Sequence, residues 1–147
     1  MAAVRTATVT WNGDLTSGEG TVSAGTSELF IDLPVSWASR TEAPEGRTSP
    51  EELMAAAHAA CYAMAFSGGL ARLGTPPGHL HVEAEVTFDK VGEAWSVVSS
   101  RLTVVGHVEG ISEEDFDAAA QEAKDGCPIS RALSRDVQVT VDATLER

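Results

Sequence analysis

Cysteine is scarce in this chain of 147 residues, which carries two, Cys61 and Cys127. So few thiols exclude a disulfide-dense secreted scaffold, and their wide separation gives no zinc-ligand spacing. Basic residues are also few, 10 against 22 acidic ones, and the net charge of −12 repels phosphate backbones and anionic lipid. Nucleic acid and membrane surfaces are therefore not expected partners. No run of about 18 apolar residues stands out as able to span a bilayer. The first residues lack the apolar core and cleavage site of a secretory signal, so a cytoplasmic protein is expected. Internal repeats and low-complexity segments are absent. What remains open is chemistry on small uncharged or apolar molecules.

The length suits one folding unit with a real core, taken as residues 1–147, with a β-meander over 1–48 and a helix-plus-sheet portion over 49–147. Residues 4–11 alternate and run into Asn12-Gly13, a hairpin signal. Thr21-Val22-Ser23 and residues 29–33 supply partner strands. Residues 34–48 read as an irregular loop. Ser49-Pro50-Glu51-Glu52 then starts a helix: Ser49 at the N-cap, Pro50 at the first helical position, and Glu52 placed for a capping box. Residues 53–73 are alanine-rich and apolar on nearly every face, the pattern of a helix buried all round. Gly68-Gly69 is a possible interruption and Gly74 an end. Alternation predicts strands around residues 80–88 and 102–108, with Gly92 in the turn between them. Ser112 opens an acidic-started helix, Cys127-Pro128 opens a short one, and residues 137–145 close the chain as a strand. The order is α+β, not a series of βαβ repeats.

Each cysteine lies at or within a marked helix. Thiolate is the reactive form, and helix N-termini and nearby cations favour it, so the pair points to redox chemistry. The alternative is two unrelated buried thiols acting as small hydrophobes. By local reasoning Cys127, ahead of Pro128 at a helix start, should be the more acidic thiol, whereas Cys61 is mid-helix and needs a cation.

Ser49-Pro50-Glu51-Glu52-Leu53 with Ala57-His58-Ala59-Ala60-Cys61-Tyr62, together with Cys127-Pro128-Ile129-Ser130, closely resembles the OsmC/Ohr family of thiol-dependent hydroperoxide reductases, the OsmC branch more than the Ohr branch. The resemblance spans nearly the whole chain. It implies antiparallel sheets around a long buried central helix, in an intertwined homodimer with active sites at the subunit boundary. It implies that Cys61 attacks an organic hydroperoxide and that Cys127 resolves the product as a disulfide. A dithiol reductant would regenerate the pair in a stress-defence role, without metal or organic cofactor. An arginine and a glutamate complete the family's site. Glu51 matches the glutamate's position; otherwise it is a charge that complements the helix dipole. Arg40, in Trp37-Ala38-Ser39-Arg40, best matches the arginine, with Arg47 the nearest rival.

Ten helical residues rise about 15 Å, so Glu51 and Cys61 on one straight helix do not share a compact site. Either the helix breaks between them or Glu51 serves a cysteine of a second subunit, which would also cover the apolar helix in a twofold interface. Two other functional classes stand beside the peroxidase. His58, three residues before Cys61, suggests a cysteine hydrolase or acyltransferase; otherwise it is a partly buried structural histidine, the reading preferred because no orienting carboxylate or oxyanion loop surrounds the pair. A static disulfide in a binding module is the third. His79, His81 and His107 lack ligand spacing, and Tyr62, Met64, Phe66, Leu53 and Met54 line core or an apolar substrate pocket.

Overall fold

The alternation near the amino terminus becomes strand β1 (Ala7–Asn12), which pairs antiparallel with β2 (Glu19–Ala24), Asn12 opposite Glu19. A computed structural model describes all residues 1–147, as two units, Met1–Leu53 and Met54–Arg147. In the first unit the hairpin forms, but Asn12-Gly13 does not close it as a two-residue turn. Asp14 claims the turn instead. Its Oδ1 accepts from the Thr16 and Ser17 amides at 3.0 and 2.7 Å and its carbonyl from Gly18 at 3.0 Å, an Asx arrangement that lengthens the loop.

The third strand, β3, is Leu33–Val35 and not residues 29–33. Glu28 and Asp32 take φ of 56° and 54°, which breaks the extended run before it starts, and Leu29 and Ile31 are left exposed. The region expected to be irregular holds a short helix, α1 (Trp37–Thr41). Ser36 and Ser39 cap it reciprocally, each side-chain oxygen accepting from the other's amide at 3.1 Å. Serine at both capping-box positions replaces the Glu or Gln of the usual pattern.

Helix α2 (Pro50–Arg72) starts where the sequence places it and is unbroken through Gly68-Gly69. Ser49 Oγ accepts from the Glu52 amide at 3.1 Å. The Glu52 carboxylate does not return the bond to Ser49; it takes the Thr48 hydroxyl at 2.7 Å, so the capping box is half formed. At the other end Gly74, with φ 83°, supports two C-terminal bonds, from Thr75 to the Leu70 carbonyl and from Gly74 to the Ala71 carbonyl, the paired bonds of a Schellman end.

In the second unit, β4 (His79–Val91) and β5 (Ala94–His107) form an antiparallel hairpin with Gly92 in its turn. Val98 is the extra residue of a bulge, since Thr87 faces Ser99 while Phe88 faces Val97. After α3 (Glu113–Gly126) and α4 (Pro128–Leu133), β6 (Gln138–Glu146) pairs with β5 in parallel. The antiparallel pairing expected of the sheets holds for every strand pair except this one. The two helices carry the chain back along the sheet, and a crossover of that length is what a parallel neighbour requires.

Burial along α2 in this unit follows one stripe: His58, Tyr62, Phe66 and Leu70, spaced four residues apart and all fully buried. That stripe meets Leu102 and Val104 of β5 and Phe116, Ala120 and Ala123 of α3 in a single core. Phe66 and Phe116 approach to 5.1 Å between ring centroids, and the Tyr62 hydroxyl donates to the Ala120 carbonyl at 2.9 Å. Gly106 is glycine for space: a Cβ there would lie 2.7 Å from the Phe116 ring. Burial all round does not hold within one chain, where Met64 stays 75% exposed. By length and composition alone α2, with a mean hydropathy of 1.3, is long enough to cross a bilayer, contrary to the reading of the sequence. Its buried stripe is engaged with the protein core.

Candidate active site

Arg40 and Glu51, the two charged residues singled out from the sequence, meet in the first unit. The Arg40 Nε lies 2.9 and 3.1 Å from the two Glu51 oxygens and Nη2 lies 2.8 Å from Oε1. This forked geometry fixes the plane of the guanidinium in a way a single contact would not. Glu51 is buried at the first turn of α2, and the guanidinium also lies over the Trp37 ring, 5.7 Å from its centroid. Capped α1 presents both Trp37 and Arg40, and the Ser39 hydroxyl ties α1 to the Thr48 carbonyl at 2.9 Å. Arg47, the rival, faces Glu19 at 4.0 Å. In the same unit Val9, Trp11, Leu15, Val22, Val35 and Leu53 line an apolar cavity of about 300 Å³ that the Arg40 side chain borders.

The two thiols meet in the second unit. Cys61 is half-buried on α2, and Cys127 is fully buried at the junction where α3 ends and α4 begins. Both are free, Cys61 packs against the core cluster that holds Cys127, and each shifts the other's ionisation. Their acidities diverge. Burial pushes the Cys61 thiol up; the Ile129 amide favours its thiolate, but the neighbouring Cys127 opposes it. Burial also acts against the Cys127 thiolate, yet there it is outweighed by the Ser130 amide, the Ser130 hydroxyl, the Cys61 thiol and the Ile129 amide, so Cys127 lies below the usual thiol range. Within one chain, then, the local ranking of the thiols matches the helix-start argument.

His58 does not serve Cys61. Its Nδ1 lies 2.6 Å from Ser100 Oγ and its Nε2 2.7 Å from Ser130 Oγ, and the ring is fully buried, which lowers its pKa. With both ring nitrogens occupied, no lone pair is left to take a proton from the thiol, so the hydrolase arrangement of Cys61 and His58 is not built. His79 stacks on His107 and lies 3.7 Å from Glu146. No three His, Cys, Asp or Glu side chains converge as a metal site would require.

Sequence reasoning missed Ser100, Ser130 and the Trp37 ring. Ser130 had a local signal, since it is three residues past Cys127 in the first turn of the same helix. Ser100 had none, because its part depends on β5 passing beside α2.

The family described as OsmC-like protein matches residues 43–142. Peroxiredoxin OsmC of Escherichia coli (strain K12) is 38% identical over 136 residues, covering 92% of each chain. Organic hydroperoxide resistance protein OhrA of Bacillus subtilis (strain 168) is 31% identical over 130 residues, 84% of this chain and 86% of that one. Among solved structures, an organic hydroperoxide resistance protein OsmC from Legionella pneumophila superposes with a TM-score of 0.69 at 21% identity, over 97% of this chain and 99% of its own. An OsmC-like protein from Vibrio cholerae gives 0.75 at 18%, over 97% and 100%. The structural likeness carries the fold, the α+β arrangement of two small sheets and a long central helix. The sequence match over most of both chains carries the kinship, and the chain belongs to the OsmC-like family.

Proposed function

We propose that this protein is a peroxidase that reduces organic hydroperoxides to alcohols with its two cysteines, and that it does so in the cytoplasm. The observation that carries the reading is the meeting of two free thiols, one half-exposed and one buried, across α2 and the α3–α4 junction. In the first step the Cys61 thiolate attacks the terminal peroxide oxygen. The S–O bond forms, the O–O bond breaks, and the alkoxide leaves and takes a proton as the alcohol. In the second, the Cys127 thiolate attacks the sulfur of the Cys61 sulfenic acid, forming the disulfide and releasing hydroxide, which is protonated to water. An external dithiol then returns both sulfurs to thiols by exchange.

Access assigns the first attack. Cys127 is the more acidic thiol in the single chain but is fully buried, whereas Cys61 is partly exposed to an incoming peroxide. What Cys61 lacks is a cation to offset its burial. The Arg40 guanidinium, held in the Glu51 fork, supplies one, and we place it over Cys61 of a second copy of the chain in a homodimer. Three features support that assembly. Helix α2 has no break between Glu51 and Cys61. Outside the buried stripe none of its apolar residues is fully buried, and Met64 is exposed. In the first unit Val9, Leu15, Leu29 and Ile31 are all exposed as well, more apolar surface than a solitary chain ordinarily leaves in water. The apolar cavity beside Arg40 favours an alkyl or aryl hydroperoxide over hydrogen peroxide, since hydrogen peroxide buries no carbon there.

The test is peroxide consumption with a dithiol as donor. Cumene hydroperoxide is expected to be turned over at least about tenfold more efficiently than hydrogen peroxide, the gain from burying two or more carbon groups. Equal efficiency would remove the role given to the cavity, and no dithiol-dependent consumption of either peroxide would refute the peroxidase.

A further inference from the structure

His58 is the one fully buried imidazole of the chain, and the chemistry just described makes no use of it. It bridges two serines from different elements, Ser100 of β5 and Ser130 of α4, through contacts of 2.6 and 2.7 Å, and all three side chains are almost wholly removed from solvent. Ser130 stands in the first turn of α4, three residues past its N-cap Cys127, and its hydroxyl favours the Cys127 thiolate. We propose that Ser100, His58 and Ser130 form a one-directional hydrogen-bond relay that ends on Cys127 and readies it to close the disulfide. The proposal rests on the reading of Cys61 as the thiol that meets the peroxide and Cys127 as the one that resolves it.

The proton count sets the direction. A serine hydroxyl has one hydrogen and a neutral imidazole has one N–H. If Ser130 donates to the sulfur of Cys127, it has no hydrogen for His58, so His58 must donate from Nε2 to Ser130 Oγ. Nδ1 is then unprotonated and accepts from the Ser100 hydroxyl. Each donor in the row has one acceptor and each acceptor one donor, and the row terminates on a negative sulfur. Burial keeps the imidazole neutral, as the row requires. An imidazolium would donate from both nitrogens and leave Ser100 pointing the wrong way. The other titratable groups around this row are Cys61, which favours the Cys127 thiolate, and Tyr62, whose ionisation is opposed by burial and by Cys127 and Asp117. Neither Tyr62 nor Asp117 offers a positive charge to Cys127, so neutral donors stabilise the thiolate. His58 and Ser100 are positioning residues here: they touch no reacting atom and act by fixing which way the Ser130 hydroxyl points.

The step they serve is the second one. The Cys127 thiolate displaces hydroxide from the Cys61 sulfenic acid, the S–S bond forms as the S–O bond breaks, and the hydroxide takes a proton from solvent to become water. Losing the Ser130 donor shifts the Cys127 thiolate toward the neutral thiol, so closure at neutral pH slows and its pH midpoint moves up. One hydrogen bond to a charged group corresponds to about a tenfold change or a unit of pH.

The experiment is a single-turnover oxidation by cumene hydroperoxide, following sulfenic acid at Cys61 with a chemical trap and disulfide formation by rapid quench and mass spectrometry. Expected for Ser130→Ala is Cys61 oxidation no slower than in the wild type, since a neutral Cys127 no longer opposes the Cys61 thiolate, with closure slowed by about tenfold or more at neutral pH and a closure profile displaced upward by about one unit. Ser130→Thr, which keeps the hydroxyl, should restore both. Ser100→Ala, two bonds away, should give a smaller shift and change the imidazole nitrogen NMR signature from the single Nε2–H tautomer to a mixture. Ser130→Ala closing at the wild-type rate with the wild-type pH profile overturns the relay, as does a folded Ser130→Thr as slow as the alanine variant. Should Ser130→Ala fail to fold, an unaltered tautomer and closure profile in Ser100→Ala overturns it as well. If the wild type forms its first sulfenic acid on Cys127, the assignment of the two thiols fails, and the relay proposal with it, before any relay variant is compared.

Discussion

Cys61→Ser is expected to bring hydroperoxide turnover to the uncatalysed background, while Cys127→Ser keeps one rapid oxidation per chain and then stalls. The serine hydroxyl has neither the acidity nor the nucleophilicity of a thiol toward peroxide oxygen, so the first variant loses the attacking atom itself. The second loses only the partner. Its Cys61 becomes a sulfenic acid with no neighbouring thiol and is held there or oxidised further to sulfinic acid. The contrast decides between access and acidity. Cys127 has the more acidic thiol in the single chain but no exposed surface, and Cys61 the reverse. If acidity governed, Cys61→Ser would still reduce one hydroperoxide per chain at the wild-type rate and leave its sulfenic acid on Cys127. Stopped-flow peroxide loss followed by mass spectrometry of the trapped sulfur distinguishes the two.

The second large effect concerns Arg40 and Glu51. Arg40→Ala and Glu51→Ala are each expected to lower the rate of Cys61 oxidation by about 10²- to 10³-fold, the usual cost of removing a preorganised charge from a developing oxyanion. Glu51→Ala removes no charge from the sulfur's vicinity. It releases the guanidinium that three contacts of 2.8 to 3.1 Å hold in one plane. If Arg40 serves the cysteine of the other subunit, mixing Glu51→Ala with Cys61→Ser chains rebuilds a working site. Random reassortment makes half the dimers hybrid, and each hybrid has one intact pairing of Glu51 and Cys61, so about a quarter of wild-type activity should return. Hybrid dimers without recovered activity would place the working pair within one chain, and a monomer in sedimentation would end the assembly proposal.

The parts of this protein that were legible from sequence are those specified by neighbours in the chain. Ser49, Pro50 and Gly74 mark the ends of α2 because capping and left-handed backbone are local matters. The pairing of Arg40 with Glu51 lies across eleven positions and was approached through the family pattern, with Arg47 left as a rival that the local sequence does not distinguish. Alternation predicts the first hairpin, but not its turn, because the carboxylate of Asp14 outcompetes the Asn-Gly signal for the loop amides. Strand β3 slipped toward Val35 because Glu28 and Asp32 adopt positive φ, which alternation of side chains does not report. The parallel pairing of β5 with β6 depends on where two helices deliver the chain, and hydrophobic periodicity is the same for either direction. Helical spacing leaves His58 as a partner of Cys61 or as a structural histidine, and the structure bears out the second. Its true partners, Ser100 and Ser130, come from elements 42 and 72 positions away, and no local pattern selects them.

The central claim is that Cys61 and Cys127 of one chain form a redox couple, and peptide mapping of the oxidised protein tests it most directly. After one equivalent of cumene hydroperoxide, digestion under non-reducing conditions should yield a linked peptide joining Cys61 to Cys127 of the same chain, with two thiols lost per hydroperoxide consumed. Hydroperoxide consumed while both thiols remain free, or a linkage joining Cys61 of one chain to Cys61 of another, would contradict it.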